Sequence, residues 1–211
     1  MIDDYREIYR RIKNAGEYYR THVRTLAPPD VTRIIRRQFD SNIYVLVTSR
    51  NEIVAPDMIV VSGFYDCFDD AQDLPCIQLS LDYHPNQAFY ITNLIDWERL
   101  AFDLAEASGH EMIHRQQHWN GVDGQTYQSL SQDPAIKQDQ EYFGHANEIA
   151  AYGFSIALES MHRNISYEDC EMYGVYQRVF VNDEKIIVKL QHYIIKYLKQ
   201  MEQQSCPKTK T

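Results

Sequence analysis

The chain has 211 residues, 44% of them hydrophobic and 24% charged, which is the balance of a globular protein and the length of one domain or one domain with an appended subdomain. Its formal net charge is −9, so a local basic cluster at Arg33, Arg36 and Arg37 sits in a field that repels polyanions. Nucleic acid is thereby excluded as the main partner, and a basic peptide or protein is the better match.

In chain order, the opening MIDDYREIYRRIKN lacks the apolar core of a signal peptide, and residues about 3–24 read as a helix that stops before Pro28-Pro29. Asp30 is expected to cap a second helix through Phe39. Three strand-like runs follow, at Ile43–Thr48, Met58–Phe64 and Cys76–Tyr83. In the last, Ile77, Leu79, Leu81 and Tyr83 alternate with Gln78, Ser80 and Asp82, so one face is expected to be buried. This run reads equally as an edge strand to which a peptide adds or as an interior strand. Ala88–Thr92 is a candidate fourth strand. From Asn93, with Asp96 at the third position, the pattern turns helical through Leu100, Leu104 and Ile113 and stops near Asn120-Gly121. Residues 121–140 read as a long polar loop of the kind that serves as a lid. Helices are then expected over 141–162, 166–179 and from Asp183 to Gln203, with a break at Asn164-Ile165 and a frayed SCPKTKT tail.

The expected fold class is α+β: a single domain over 1–211, with a small, mostly antiparallel sheet before about residue 92 and a helical half after it. No apolar run reaches membrane-spanning length. Cys67, Cys76, Cys170 and Cys206 form no C-x-x-C pair, so a cysteine zinc ribbon is not expected and the thiols are read as reduced. A Cys67–Cys76 disulfide would need an oxidising compartment. The expected location is cytoplasmic or virion-associated, without a membrane partner.

His110-Glu111-Met112-Ile113-His114 is an H-E-x-x-H motif inside the helix expected from Asn93. Residues four apart share a helix face, roughly 6 Å apart along the axis, so two imidazoles can converge on one ion. Zinc–nitrogen bonds of about 2.0–2.1 Å suit that spacing. The adjoining glutamate can take the proton of a water that the metal has acidified as that water attacks a carbonyl.

The segment SGHEMIHRQQHW resembles the active-site helix of zincin metallopeptidases, and EYFGHANEIAAYG resembles the third-ligand helix of the gluzincins among them. The resemblance covers about a quarter of the chain. It implies Zn2+ as cofactor, with His110, His114 and Glu148 as ligands, Glu111 as general base and hydrolysis of a peptide or protein substrate. The family commonly has an uncharged and then an apolar residue after the second histidine, where Arg115 and Gln116 stand here.

Other residues compete for the third-ligand position. His118 lies roughly 12 Å along a straight helix from His110, too far for a shared ion, and the metzincin spacing fails because Gln117 stands where its glycine would be. His145, within GHANEI, resembles the third histidine of SprT-like proteases. If Glu148 is the ligand, His145 is a candidate donor to an oxyanion or a substrate carbonyl, and Tyr142 and Tyr152 flank the same position. Glu111-x-x-His114 and Glu159-x-x-His162 also resemble the paired E-x-x-H units of di-iron bundles. Such a bundle needs two more inward glutamates, for which Glu168, Glu171 and Glu184 are the candidates; Glu98 and Glu106 share a helix with Glu111. A zincin-like structural or interaction protein, in which the metal only staples helices, is the non-catalytic alternative.

Overall fold

A computed structural model describes residues 2–205 except 41, 73 and 123; Cys206 and the tail after it fall outside this range. The described chain forms α1 (Ile2–His22), β1 (Thr25–Leu26), α2 (Pro28–Arg36), β2 (Val45–Asn51), β3 (Ile59–Tyr65), the single turn α3 (Cys67–Asp70), β4 (Ile77–Tyr83), β5 (Tyr90–Ile91) and α4 (Trp97–Trp119). Then follow α5 (Pro134–Phe143), α6 (Ala146–Arg163), a 3-10 turn at Tyr167–Asp169, α7 (Glu171–Val179) and α8 (Glu184–Ser205). The α+β class stands, with a small sheet region ahead of a helical one. The chain divides into two compact units, one up to Met112 and the other from Ile113, so the boundary falls inside the continuous helix α4.

In the first unit, β2, β4 and β3 form a three-stranded sheet in that order. β4 pairs parallel with β2 and antiparallel with β3, so this sheet is mixed. The run 77–83 is therefore the central strand, and the edge reading of it is corrected. Alternation correctly marks its buried face, since Ile77, Leu79 and Leu81 have no exposure. Each such aliphatic side chain contributes on the order of 1.5–3 kcal/mol by leaving water. On the opposite face the Arg50 guanidinium grips the Asp82 carboxylate with two bonds of 2.9 Å at directly paired positions, which fixes the register of β2 on β4. Tyr90–Ile91 does not join this sheet but pairs antiparallel with Thr25–Leu26.

Prolines expected as a stop signal or within a loop open helices instead. Pro28-Pro29 opens α2, with Ala27 at the N-cap and Asp30 in the first turn. Proline is tolerated there because the first amides of a helix have no intrahelical acceptor. Likewise Pro134 opens α5, whose first turn is capped by the Asp133 carboxylate accepting from the amides of Ala135 and Ile136. Residues 121–140 are thus not one loop. The stretch before Asp133 is also anchored: the Ala146 amide donates to the Gln125 carbonyl, and the Tyr127 hydroxyl donates to Asp183 at 2.9 Å. Asp96, rather than Asn93, caps α4, accepting from the Arg99 amide at 3.0 Å.

The second unit is helical. α6 packs along α8, burying Ile149, Phe154, Ile156 and Ala157 of the former with Leu190, Ile194 and Met201 of the latter. α6 ends where expected, at Asn164 in the left-handed conformation (φ 53°), with the Ile165 amide returning to the Ser160 carbonyl. Cys67, Cys76 and Cys170 are unbridged. No helix among the described residues is long and apolar enough to cross a membrane.

Candidate metal centre

The helix that carries the motif is fixed at both ends. Asp96 caps its start, and its end is a Schellman motif: the Val122 amide reaches the Gln117 carbonyl, the Gly121 amide reaches His118, and Gly121 takes φ 62°. Glycine suits that residue because a left-handed conformation strains any side chain with a Cβ. Between these ends α4 is unbroken, so His110 and His114 lie one turn apart on one face.

Glu148 stands in the first turn of α6. The sequence expectation placed it within a helix beginning at 141, but Gly144-His145 separates α5 from α6, and His145 is the α6 N-cap. His110, His114 and Glu148 each offer a ligand atom, and the three atoms lie within 4.8 Å of one another. None of the three residues is exposed. Among the described residues this is the one group of three histidine, cysteine or carboxylate side chains so arranged.

The donor set fits zinc. His114 Nε2 and Glu148 Oε1 are 3.4 Å apart. Two ligands of a tetrahedral zinc, each about 2.0–2.1 Å from the ion, are separated by about 3.3–3.4 Å. Two imidazoles and one carboxylate are also ligand types that zinc takes. The side chains of His114 and Glu148 are only 15% and 16% exposed, a shielded setting in which charge interactions are stronger than in water.

Glu111, beside the first histidine, is buried. It lies against Gly63 of β3: a Cβ on that glycine would stand 2.8 Å from Glu111 Oε1 and 2.9 Å from its Cγ. The glycine leaves room for the carboxylate, which a Cβ would displace, and sequence reasoning passed over Gly63 altogether. A glycine within a strand was the available signal, since it often marks a close approach.

Among the described residues, His145 is not part of the metal-ligating group. Its Nδ1 accepts from the Asn147 amide at 3.3 Å, capping α6. Nδ1 is thus the acceptor nitrogen, and the proton of the neutral ring sits on Nε2. Ligation through Nε2 would require that proton on Nδ1, against the Asn147 N–H, so the cap and metal binding oppose each other. The loop passes close to this ring, since a Cβ on Gly124 would fall 2.4 Å from His145 Cε1. His118 is exposed, near the end of α4.

Tyr142 is half exposed and Tyr152 half buried, and both rings meet Phe143. Behind them Tyr176 donates its hydroxyl to the Phe143 carbonyl at 3.0 Å. Burial, reinforced by Tyr152, Glu148 and Tyr142, holds its phenol well above the usual range, so it stays a neutral donor. In the second E-x-x-H unit Glu159 is ion-paired with Arg163, and His162 is exposed. No family model, curated protein or solved structure matches this chain.

Proposed function

We propose that the chain is a zinc-dependent hydrolase of peptide bonds. The observation that carries this reading is the His110, His114 and Glu148 donor set, with Glu111 next to its first member on the same helix. His110 and His114 would hold the ion as neutral imidazoles, and Glu148 would offset part of its charge. Bound there, zinc supplies Lewis acidity, which acidifies a water and polarises a carbonyl. Glu111 serves as the general base: its carboxylate accepts a proton from the attacking water and returns it to the leaving amine. Lying against Gly63, the carboxylate loses rotamer freedom and is held ready for that transfer.

His145 is the candidate donor to the developing oxyanion. Its Nδ1 is committed to the Asn147 amide, so its Nε2–H is the ring donor left for a substrate oxygen. The peptide's place moves from β4 to β3, which lies at the margin of the sheet and passes Glu111 at Gly63. An extended chain added to that strand by main-chain hydrogen bonds would bring its carbonyl groups to the base.

Metal analysis and turnover test this together. Protein purified without added metal should carry one zinc per chain and cleave unstructured, basic peptides. Glu111→Gln should keep the zinc and lose at least 100-fold in kcat, within the range general-base removal causes. Full activity in that variant would overturn the base assignment. Two irons per chain would select the di-iron reading, and bound zinc without turnover of any peptide would select a structural metal.

A further inference from the structure

His114 is held from behind by Gln117, and the two hydrogen bonds of that one amide fix its orientation. The Asn147 main-chain carbonyl can only accept, so the Gln117 Nε2 group is the one that faces it, at 3.2 Å. The Gln117 Oε1 atom therefore faces His114 Nδ1, also at 3.2 Å. An amide oxygen only accepts, so the proton of the His114 ring must be on Nδ1. In the neutral ring the lone pair is then on Nε2, the atom 3.4 Å from Glu148 Oε1. Flipping the amide would set its oxygen against the Asn147 carbonyl, acceptor against acceptor.

We propose that Gln117 is a positioning residue that clamps the two ligand-bearing helices, selecting the metal-binding tautomer of His114 while pinning the residue next to Glu148. The inference rests on the metal-site reading above. Gln117 reaches His114 because residues three apart on a helix are surface neighbours. It reaches α6 at Asn147, one peptide before the carboxylate ligand, so the same side chain that aims the imidazole also sets where Glu148 begins. Metal-binding histidines commonly need such a partner on their second nitrogen, and its loss typically weakens metal affinity 10–100-fold. Here one amide serves a ligand on each helix. Its own main-chain carbonyl is bound by the Val122 amide in the Schellman turn, so the backbone under the clamp is also fixed.

The test reads the tautomer directly and needs neither substrate nor metal. In metal-free protein carrying 15N-labelled histidine, at a pH high enough that the nitrogen shifts themselves show the His114 ring to be neutral, those shifts should report a proton on Nδ1. Gln117→Leu should return the ring to the Nε2–H form that free imidazoles favour, and zinc affinity should fall roughly 10–100-fold. Gln117→Glu keeps an acceptor toward His114 but loses the donor to Asn147. It should restore the Nδ1–H signal while leaving zinc affinity below wild type, and it also serves if the leucine variant misfolds. An Nε2–H ring in the wild type, or a glutamate variant that fails to restore Nδ1–H, would overturn the clamp. The two readings fail separately. Wild-type protein with Nδ1–H in place that binds no zinc would sink the hydrolase and leave the clamp standing.

Discussion

Glu111 is kept in place by what Gly63 lacks. An alanine there would put its Cβ 2.8–2.9 Å from the Glu111 carboxylate and Cγ. The atoms in the way belong to a flexible side chain rather than to backbone, so the fold can absorb the change by moving the carboxylate. Gly63→Ala should therefore leave zinc affinity and melting temperature nearly unchanged and lower kcat by roughly 10–100-fold, the scale of an ångström-sized misplacement. A variant that loses zinc or unfolds, instead of losing turnover alone, would show that the glycine serves the sheet and not the base. Local reading of the sequence could not find this contact, because the two residues are far apart in the chain. By contrast, His110 and His114 were legible at once, since helix geometry alone places residues four apart on one face.

At the level of elements, the sequence reading located helices well where a start and a stop were both written locally. Asn164 ended α6 and Gly121 ended α4 as expected, each through a left-handed residue. Proline was ambiguous, because the same residue ends one helix and opens the next. Pro28 reads as a stop signal and Pro134 as part of a loop, yet both sit at helix starts. Periodicity gave the buried face of β4 but not its neighbours, which are chosen by long-range pairing. The close approach of α6 and α8 was likewise hidden: a Cβ on Gly153 would lie 2.6 Å from the Cβ of Tyr193, near the α8 backbone. Gly153→Ala should destabilise the chain by roughly 1–3 kcal/mol from overpacking, less the ~1 kcal/mol that alanine adds to helix propensity. A lower urea midpoint at unchanged slope would confirm this, and a higher midpoint would refute the tight packing.

For the whole molecule, the proposed ion is part of the stability. A ligand that binds only the folded state adds about 2.7 kcal/mol at 100 times its Kd. A chain of this size gains about 2–4 °C per kcal/mol, so saturating zinc should raise the melting temperature by roughly 5–11 °C, and a chelator should reverse the gain. Glu148→Ala should abolish most of that shift. His145→Ala should keep it, because His145 caps α6 and is not in the donor set. The opposite order would move the third ligand to His145 and favour the SprT-like arrangement.

The sequence by itself determined the α+β class and the helix bearing His110 and His114, which follow from short-range periodicity and motif spacing and need no knowledge of distant contacts; the later helix carrying Glu148 was implied by the resemblance to the gluzincins. Only the tertiary structure decided that β4 is central, that Glu111 rests on Gly63, and that one amide from Gln117 reaches both His114 and the main chain beside Glu148. Each of these depends on which distant segments meet, and that choice is made by burial and hydrogen-bond satisfaction across the chain rather than within any one stretch of it.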